Sequence, residues 1–307
     1  DVSIESNVKD SLSELSKDTK PQALKDIELN EKNRISSGFI NLDSVLGGGI
    51  YPSSIILLSG EPGIGKSTLL LQIASNLAKK GKVLYTSGEE SLEQIKQRAK
   101  RMSLEDSEFN LISLTDFEYL SDILVKDDYG VVIIDSIQTI MTGGKISGAG
   151  VLNSLSQAMH QIITLAKLKG ICFILIGHIT KDGNIAGPKV LEHLVDVVLN
   201  LFGEKYSQSK ILRAQKNRFG GVDELALFTM NEKGLEPILE PSLYFIGDHG
   251  SSKSKVGSVI FPSIEVNSCM LVEVQALVSK SNYQLARRTI QGSESNRLNI
   301  LIAIIEK

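Results

Sequence analysis

Two rhythms of apolar residues alternate along the chain. Short unbroken apolar runs, closed by Gly, Ser or Asp, take turns with stretches in which apolar residues recur every three or four positions. The first strong run, 54–59, predicts a strand ending in glycine, and 67–80 follows as a helix with Leu70, Ile73, Ala74, Leu77 and Ala78 on one stripe. The alternation then predicts strands at 83–86, 109–114, 131–135 and 171–176, interleaved with helices at 92–101, 117–125 and about 152–166. Strands apolar on both faces and separated by helices imply an α/β fold whose mainly parallel sheet is covered on both sides. Further runs at 195–201, 211–214 and 224–230 follow one another without helices, so the sheet is expected to finish antiparallel.

The flanks differ. Residues 1–34 contain no Gly and no aromatic residue and little apolar material, the pattern of a solvated linker. A folded domain is expected over 35–236, entered through Ile35, Phe39, Ile40, Leu42, Val45 and Leu46 and the turn Gly47-Gly48-Gly49. Pro237, Pro241 and the Gly/Ser/Lys stretch at 247–258 mark a second boundary. Beyond it, 259–279 is β-rich and 296–306 helical, a tail short for a free-standing domain.

Composition narrows the classes. With 42% hydrophobic residues among 307, the chain carries enough material for a core, which excludes a wholly disordered protein. The net charge of −3 means that any polyanion it binds must meet a local basic patch. The 2 cysteines, Cys172 and Cys269, sit in apolar strand-like runs and are expected as buried thiols; they cannot build a disulfide framework or a four-cysteine zinc site. No apolar run nears the roughly 18 residues of a membrane span. The N-terminus shows no signal-peptide pattern, so a cytoplasmic protein is the expectation.

The chemistry concentrates at the first strand-to-helix junction. Gly60-Glu61-Pro62-Gly63-Ile64-Gly65-Lys66-Ser67 matches G-x-x-x-x-G-K-S in the context that motif requires. Glycines let the backbone curl so that N–H groups face phosphate oxygens, with the positive end of the next helix behind them. Lys66 is then expected on the β- and γ-phosphates, Ser67 on Mg²⁺ and Thr68 beside the nucleotide. A glycine-rich turn without a ligand is the competing explanation, but a chance match occurs only about once in a hundred chains of this length. Val131 to Asp135 is an apolar strand ending in a carboxylate, suited to orient the metal's water shell, although a capping aspartate would look the same. Glu89 and Glu90 follow the second strand, where either could orient or deprotonate an attacking water; both would equally suit the first turn of the next helix. No N/T-K-x-D element is present to read guanine, so ATP is the expected nucleotide, with Mg²⁺.

These residues resemble the RadA (Sms) family of bacterial DNA repair ATPases, whose core is RecA-like. The resemblance rests on Leu42-Asp43 with Val45 to Gly49, on Gly63 to Gln72, on Gly177-His178-Ile179-Thr180-Lys181, on Ile185 to His193 and above all on Lys216-Asn217-Arg218-Phe219-Gly220. It covers about 35–307, and it identifies 237–307 as the N-terminal part of a Lon-protease-like α+β domain through Leu271 to Val278 and Arg287-Arg288-Thr289. The family's zinc finger is absent, so the chain is expected to begin in the linker behind it, and the Lon-like part is expected to stop short at Lys307.

The resemblance implies a DNA-dependent, helicase-like ATPase in recombinational repair. Such a homo-hexameric ring would act on single-stranded and branched DNA, extend recombination intermediates by branch migration and work beside a recombinase. A nucleotide-controlled DNA-binding mediator without motor activity is the alternative. In such rings a neighbour's basic residue stabilises the transferred phosphoryl group, the role expected of Lys216 and Arg218; a solvated basic edge strand would carry the same charges. His178 would sense the nucleotide near the γ-phosphate. Lys145, Lys181, Lys189 and Arg218 would contact DNA from loops whose glycines and sparse cations suit sequence-independent phosphate tracking, or are merely flexible.

Overall fold

The structure, a computed structural model, describes residues 23–26, 34–141, 149–178, 190–203, 208–246, 256–265, 268–280, 288–292 and 295–306. Its main sheet contains β1 (Ile55–Gly60), β2 (Val83–Ser87), β3 (Asn110–Ser113), β4 (Val131–Asp135), β5 (Cys172–His178), β6 (Val197–Phe202), β7 (Ser209–Asn217), β8 (Leu225–Asn231) and β9 (Gly234–Ile238). They lie in the order β3-β2-β4-β5-β1-β6-β7-β8-β9. Pairing is parallel from β3 to β6 and antiparallel from β6 to β9, as the loss of intervening helices led one to expect.

The central strands explain why their sequences lack polar alternation. On β1, Ile56 and Leu58 face one apolar cluster while Ile55 and Leu57 face another; Val131 and Ile133 are set against Val132 and Ile134 on β4 in the same way. The first cluster is closed by helices α1 (Ile40–Val45), α2 (Lys66–Ala78) and α3 (Leu92–Arg101), with Leu42, Leu70, Ile73, Leu77 and Ile95 buried. The second is closed by α4 (Phe117–Lys126), α5 (Ile137–Met141) and α6 (Ala149–Lys169), through Leu120, Leu124, Ile140, Met159 and Ile162. Two helix starts are fixed by side chains. Ser91 and Gln94 form a capping box on α3, and the Asp116 carboxylate accepts from the first-turn N–H groups of α4.

Sequence periodicity passed over the shortest elements. α1, α5 and α7 (Val190–Leu194) have five or six residues each, too few for a helical stripe to declare itself. β9 carries Pro237, which the sequence suggested as boundary punctuation. It pairs with Phe228 at the outer edge of the sheet, where a residue without an N–H is tolerated. After it come α8 (Pro241–Ile246), an antiparallel pair of β10 (Ser258–Glu265) and β11 (Ser268–Gln275), and α9 (Ser295–Ile305). Among the described residues no helix is long and apolar enough to cross a membrane. Cys172 is buried as expected, and that burial pushes its thiol up to about 12; the side chain of Cys269 lies outside the described residues.

Because Ile133 is completely buried at the centre of β4, Ile133→Ala is expected to lower stability by about 2–5 kcal/mol, whereas truncating the exposed Leu277 changes it by less than about 0.5 kcal/mol. Urea midpoints at an unchanged m-value measure both.

Candidate nucleotide-binding site

Strand register brings the candidate residues to one edge of the sheet. Gly60 at the end of β1 is level with His178 of β5 and Leu201 of β6, and Ser87 of β2 is level with Asp135 of β4. At this carboxyl edge β1 turns into α2 through the loop 61–65. Gly63 and Gly65 have φ of 78° and 118° there, a region costly for residues with a Cβ. A Cβ at Gly63 meets nothing within 4 Å, so that glycine serves backbone curvature alone; a Cβ at Gly60 would lie 2.4 Å from the Leu201 carbonyl. Ile64 turns its side chain into the core, which leaves only its backbone to face a ligand, while Glu61 and Pro62 are exposed.

Lys66, the first residue of α2, is only 5% exposed. Its ammonium donates to the carbonyls of Gly60 (2.8 Å) and Glu61 (2.9 Å). Burial pulls its pKa below the ordinary 10.5, while the charges of Asp135 and Glu89 pull it back up. A cation therefore sits at the mouth of the loop with two carboxylates in its field. Asp135 is itself buried and accepts a hydrogen bond of 2.7 Å from the Tyr85 hydroxyl. That phenol is held well above its usual 10.0 by burial and by the neighbouring aspartate.

The two glutamates are not equivalent. Glu89 accepts from the Ser136 hydroxyl at 2.6 Å, immediately after Asp135. Gly88 makes that approach possible, since a Cβ there would lie 2.4 Å from Thr139 Oγ1 on α5. Glu90 instead turns away into an ion pair with Arg98 of α3. Beside Thr68, in the first turn of α2, lies a cavity of about 480 Å³ between Arg98, Arg101 and Met102 of the α3 end and Met230, Asn231, Glu232 and Gly234 around the β8–β9 turn. Its volume suits a small organic ligand. For Mg²⁺, the Ser67 hydroxyl and the buried Asp135 carboxylate are hard oxygen donors of the type this ion takes when phosphates supply the rest. Among the described residues no cluster of three or more His, Cys, Asp and Glu could hold a metal without such a ligand.

Lys216 and Arg218 are placed elsewhere. Asn217 pairs with Val197 at the start of β6, level with Ile56, four residues before Gly60 on β1. Lys216 and Arg218 thus lie two strands over from β1 and about 13 Å back along the strand direction from Gly60, at the opposite edge of the sheet. The Lys216 ammonium donates to the carbonyls of Glu192, His193 and Val195 and so closes the end of α7. Arg218 pairs with Asp196 at 3.1 Å and keeps 57% of its side chain exposed. Lys145, Lys181 and Lys189, and the side chain of His178, lie outside the described residues. Sequence reasoning missed Tyr85 and Ser136. A lone tyrosine in an apolar strand and a serine after the Asp135 carboxylate give no signal until folding brings them to carboxylates.

Fold and loop together define a P-loop domain of RecA type, a mixed sheet with the phosphate loop on its central strand. The chain belongs to the AAA-domain family, whose model matches residues 20–184. It is 40% identical to the DNA repair protein RadA of Bacillus subtilis (strain 168) over 94% of its own length, and 43% identical to that of Aquifex aeolicus (strain VF5) over 92%. It spans 63% of each of these relatives. The resemblance seen in its motifs is thereby borne out. Among solved structures, that of the RadB recombinase superposes with a TM-score of 0.54 at 24% identity, covering 66% of this chain and 99% of that one, a likeness of fold.

The Tyr85–Asp135 contact has a pH signature. The folded phenol is shifted above 10.0, so its contribution is complete below about pH 10 and is lost as the pH climbs from there toward the folded pKa. Tyr85→Phe is expected to cost about 1–3 kcal/mol at neutral pH, by leaving a buried carboxylate short of a donor, and to flatten this alkaline loss. Denaturant titrations at neutral and alkaline pH measure both effects.

Proposed function

We propose that this chain is the motor core of a DNA-stimulated, Mg²⁺-dependent ATPase that works as a homo-hexameric ring in recombinational repair in the cytoplasm. It would drive branch migration on single-stranded and branched DNA beside a recombinase. One observation carries the reading. Within a single chain the phosphate loop and the Lys216–Arg218 segment occupy opposite edges of the sheet, so the exposed arginine can complete a phosphate site only on a neighbouring copy. The curated relatives named for DNA repair support the biological setting.

In this mechanism the amides of 60–67 and the Lys66 ammonium grip the β- and γ-phosphates, and the base enters the cavity beside Thr68. Ser67 and Asp135 would hold Mg²⁺, which supplies charge neutralisation across the phosphates when bound. Glu89 is the carboxylate that orients the attacking water, because it is turned toward Ser136 and shares its field with Lys66, whereas Glu90 is engaged by Arg98. Arg218 of the adjoining copy stabilises charge on the transferred group, with Lys216 holding the base of that segment. His178, level with Gly60, relays the nucleotide's state to the segment carrying Lys181 and Lys189, which with Lys145 and Arg218 tracks DNA phosphates. Residues 1–34 act as a linker whose last residue, Arg34, docks on the next domain, 35–236 as the ATPase domain and 237–307 as the start of a Lon-like domain.

Lys66→Ala is expected to abolish turnover, since each charge-assisted bond it loses is worth about 1.5–3 kcal/mol. Glu89→Gln is expected to bind ATP but lower kcat by a factor of about 10² or more, while Glu90→Gln retains most activity. Steady-state ATPase assays and nucleotide-binding titrations separate these. Single-stranded DNA should raise wild-type turnover; an assembled ring indifferent to DNA overturns the motor reading, and DNA assembly without ATP-dependent strand movement favours a mediator.

A further inference from the structure

Two glycine-containing segments far apart in sequence are fastened together at the amino edge of the sheet. A Cβ at Gly220 would lie 3.0 Å from the Cα of Gly47, and a Cβ at Gly47 would lie 3.0 Å from the Phe219 carbonyl, so the loop after β7 and the turn after α1 touch backbone to backbone. Across this junction reaches Arg34. Its guanidinium donates to the carbonyls of Leu46 (3.0 Å), Gly49 (3.4 Å) and Phe219 (2.7 Å). It also stands 5.7 Å from the centroid of the Tyr51 ring, on which Phe219 lies flat, with centroids 4.3 Å apart and planes 6° apart. Only a planar fork with several donors can make these contacts at once.

We propose that Arg34, with Tyr51, is the positioning residue of the trans-acting edge: it fixes the Phe219 backbone and so sets where Arg218 is presented to the neighbouring copy's phosphate site. The proposal rests on the ring ATPase reading above. Two holds act on the segment. Asp196 holds Arg218 from within the sheet, with its other oxygen accepting from the Ile55 N–H. The next residue along, Phe219, is held from outside by Arg34 and Tyr51. Releasing the second hold leaves a guanidinium more than half exposed on a slack loop. A displacement of about 1 Å in such a group is costly to a transition state but nearly neutral for binding of the ground-state nucleotide.

Subunit mixing with the full chain tests this. Arg34→Ala is expected to lower kcat for ATP about tenfold while KM stays within about twofold. An Arg34→Ala subunit keeps an intact phosphate loop, and a Lys66→Ala subunit keeps an intact arginine edge. An equal mixture should therefore regain turnover that neither variant has alone. Arg218→Ala mixed with Lys66→Ala is the control for action between copies. Recovery in the control but not in the Arg34→Ala mixture overturns the proposal and leaves the ring reading standing. Failure of both mixtures overturns the ring reading and the proposal with it, and undiminished kcat in Arg34→Ala also overturns the proposal. Should Arg34→Ala lose its circular dichroism signal, Arg34→Lys replaces it in the same mixtures. Its ammonium keeps the charge but cannot span three carbonyls and the Tyr51 face, and the same outcomes decide.

Discussion

A cation buried at a strand-to-helix bend is the constraint around which the rest of the site is arranged. Lys66 is removed from water by the loop and by the core beneath α2, at a desolvation cost that lowers its affinity for a proton. Loop carbonyls and the fields of Asp135 and Glu89 offset that cost. Those carboxylates need support of their own, which Tyr85 gives Asp135 and Ser136 gives Glu89. Lys66 follows β1, Tyr85 and Glu89 come from β2 and the turn after it, and Asp135 and Ser136 come from the end of β4. The charge cluster therefore exists only because β2 and β4 end level with each other and within two residues of the end of β1.

This arrangement sorts what was legible in the sequence from what was not. The strand-loop-helix around Gly60 to Ser67 was readable because its glycines, its lysine and the helical stripe after it lie within a single local segment. Strands β1, β4 and β5 were readable because burial on both faces writes an unbroken apolar run. The choice between Glu89 and Glu90 was not readable. It turns on Gly88 passing close to Thr139 and on Arg98 reaching back from α3, neither of which leaves a periodic trace. Likewise Lys216 and Arg218 look interchangeable as two cations on one strand end. Only the fold shows one spent on three carbonyls of α7 and its exit and the other left half in water.

The amino edge of the sheet follows the same economy of contacts. The Gly47-Gly48-Gly49 turn and the Lys216 to Gly220 segment lie far apart in sequence, yet they form one packed junction under Arg34, Tyr51 and Asn217, whose amide donates to the Val45 carbonyl. Arg34 lies at the border of the region read as linker and yet is bound into the junction. An arginine at a linker's end carries no positional information in sequence. Three carbonyl acceptors from two distant loops give it that information.

Strand β1 joins the two edges. All six of its residues are buried, and it is paired on both sides along nearly its whole length, so it behaves as a stiff strut. At one end Gly60 opens the phosphate loop; at the other the Ile55 N–H holds Asp196, which holds Arg218. On the ring reading, successive nucleotides around the assembly are then separated by this strut and the interface beyond it. A change in how tightly one site grips phosphate cannot be absorbed by stretching β1, because a fully paired, close-packed strand has no soft coordinate along its axis. It must instead appear as rotation of one copy against the next or as movement of the loops that leave the sheet beside Gly60. In the proposed ring, a rigid core would in this way turn local phosphate chemistry into displacement of whole subunits.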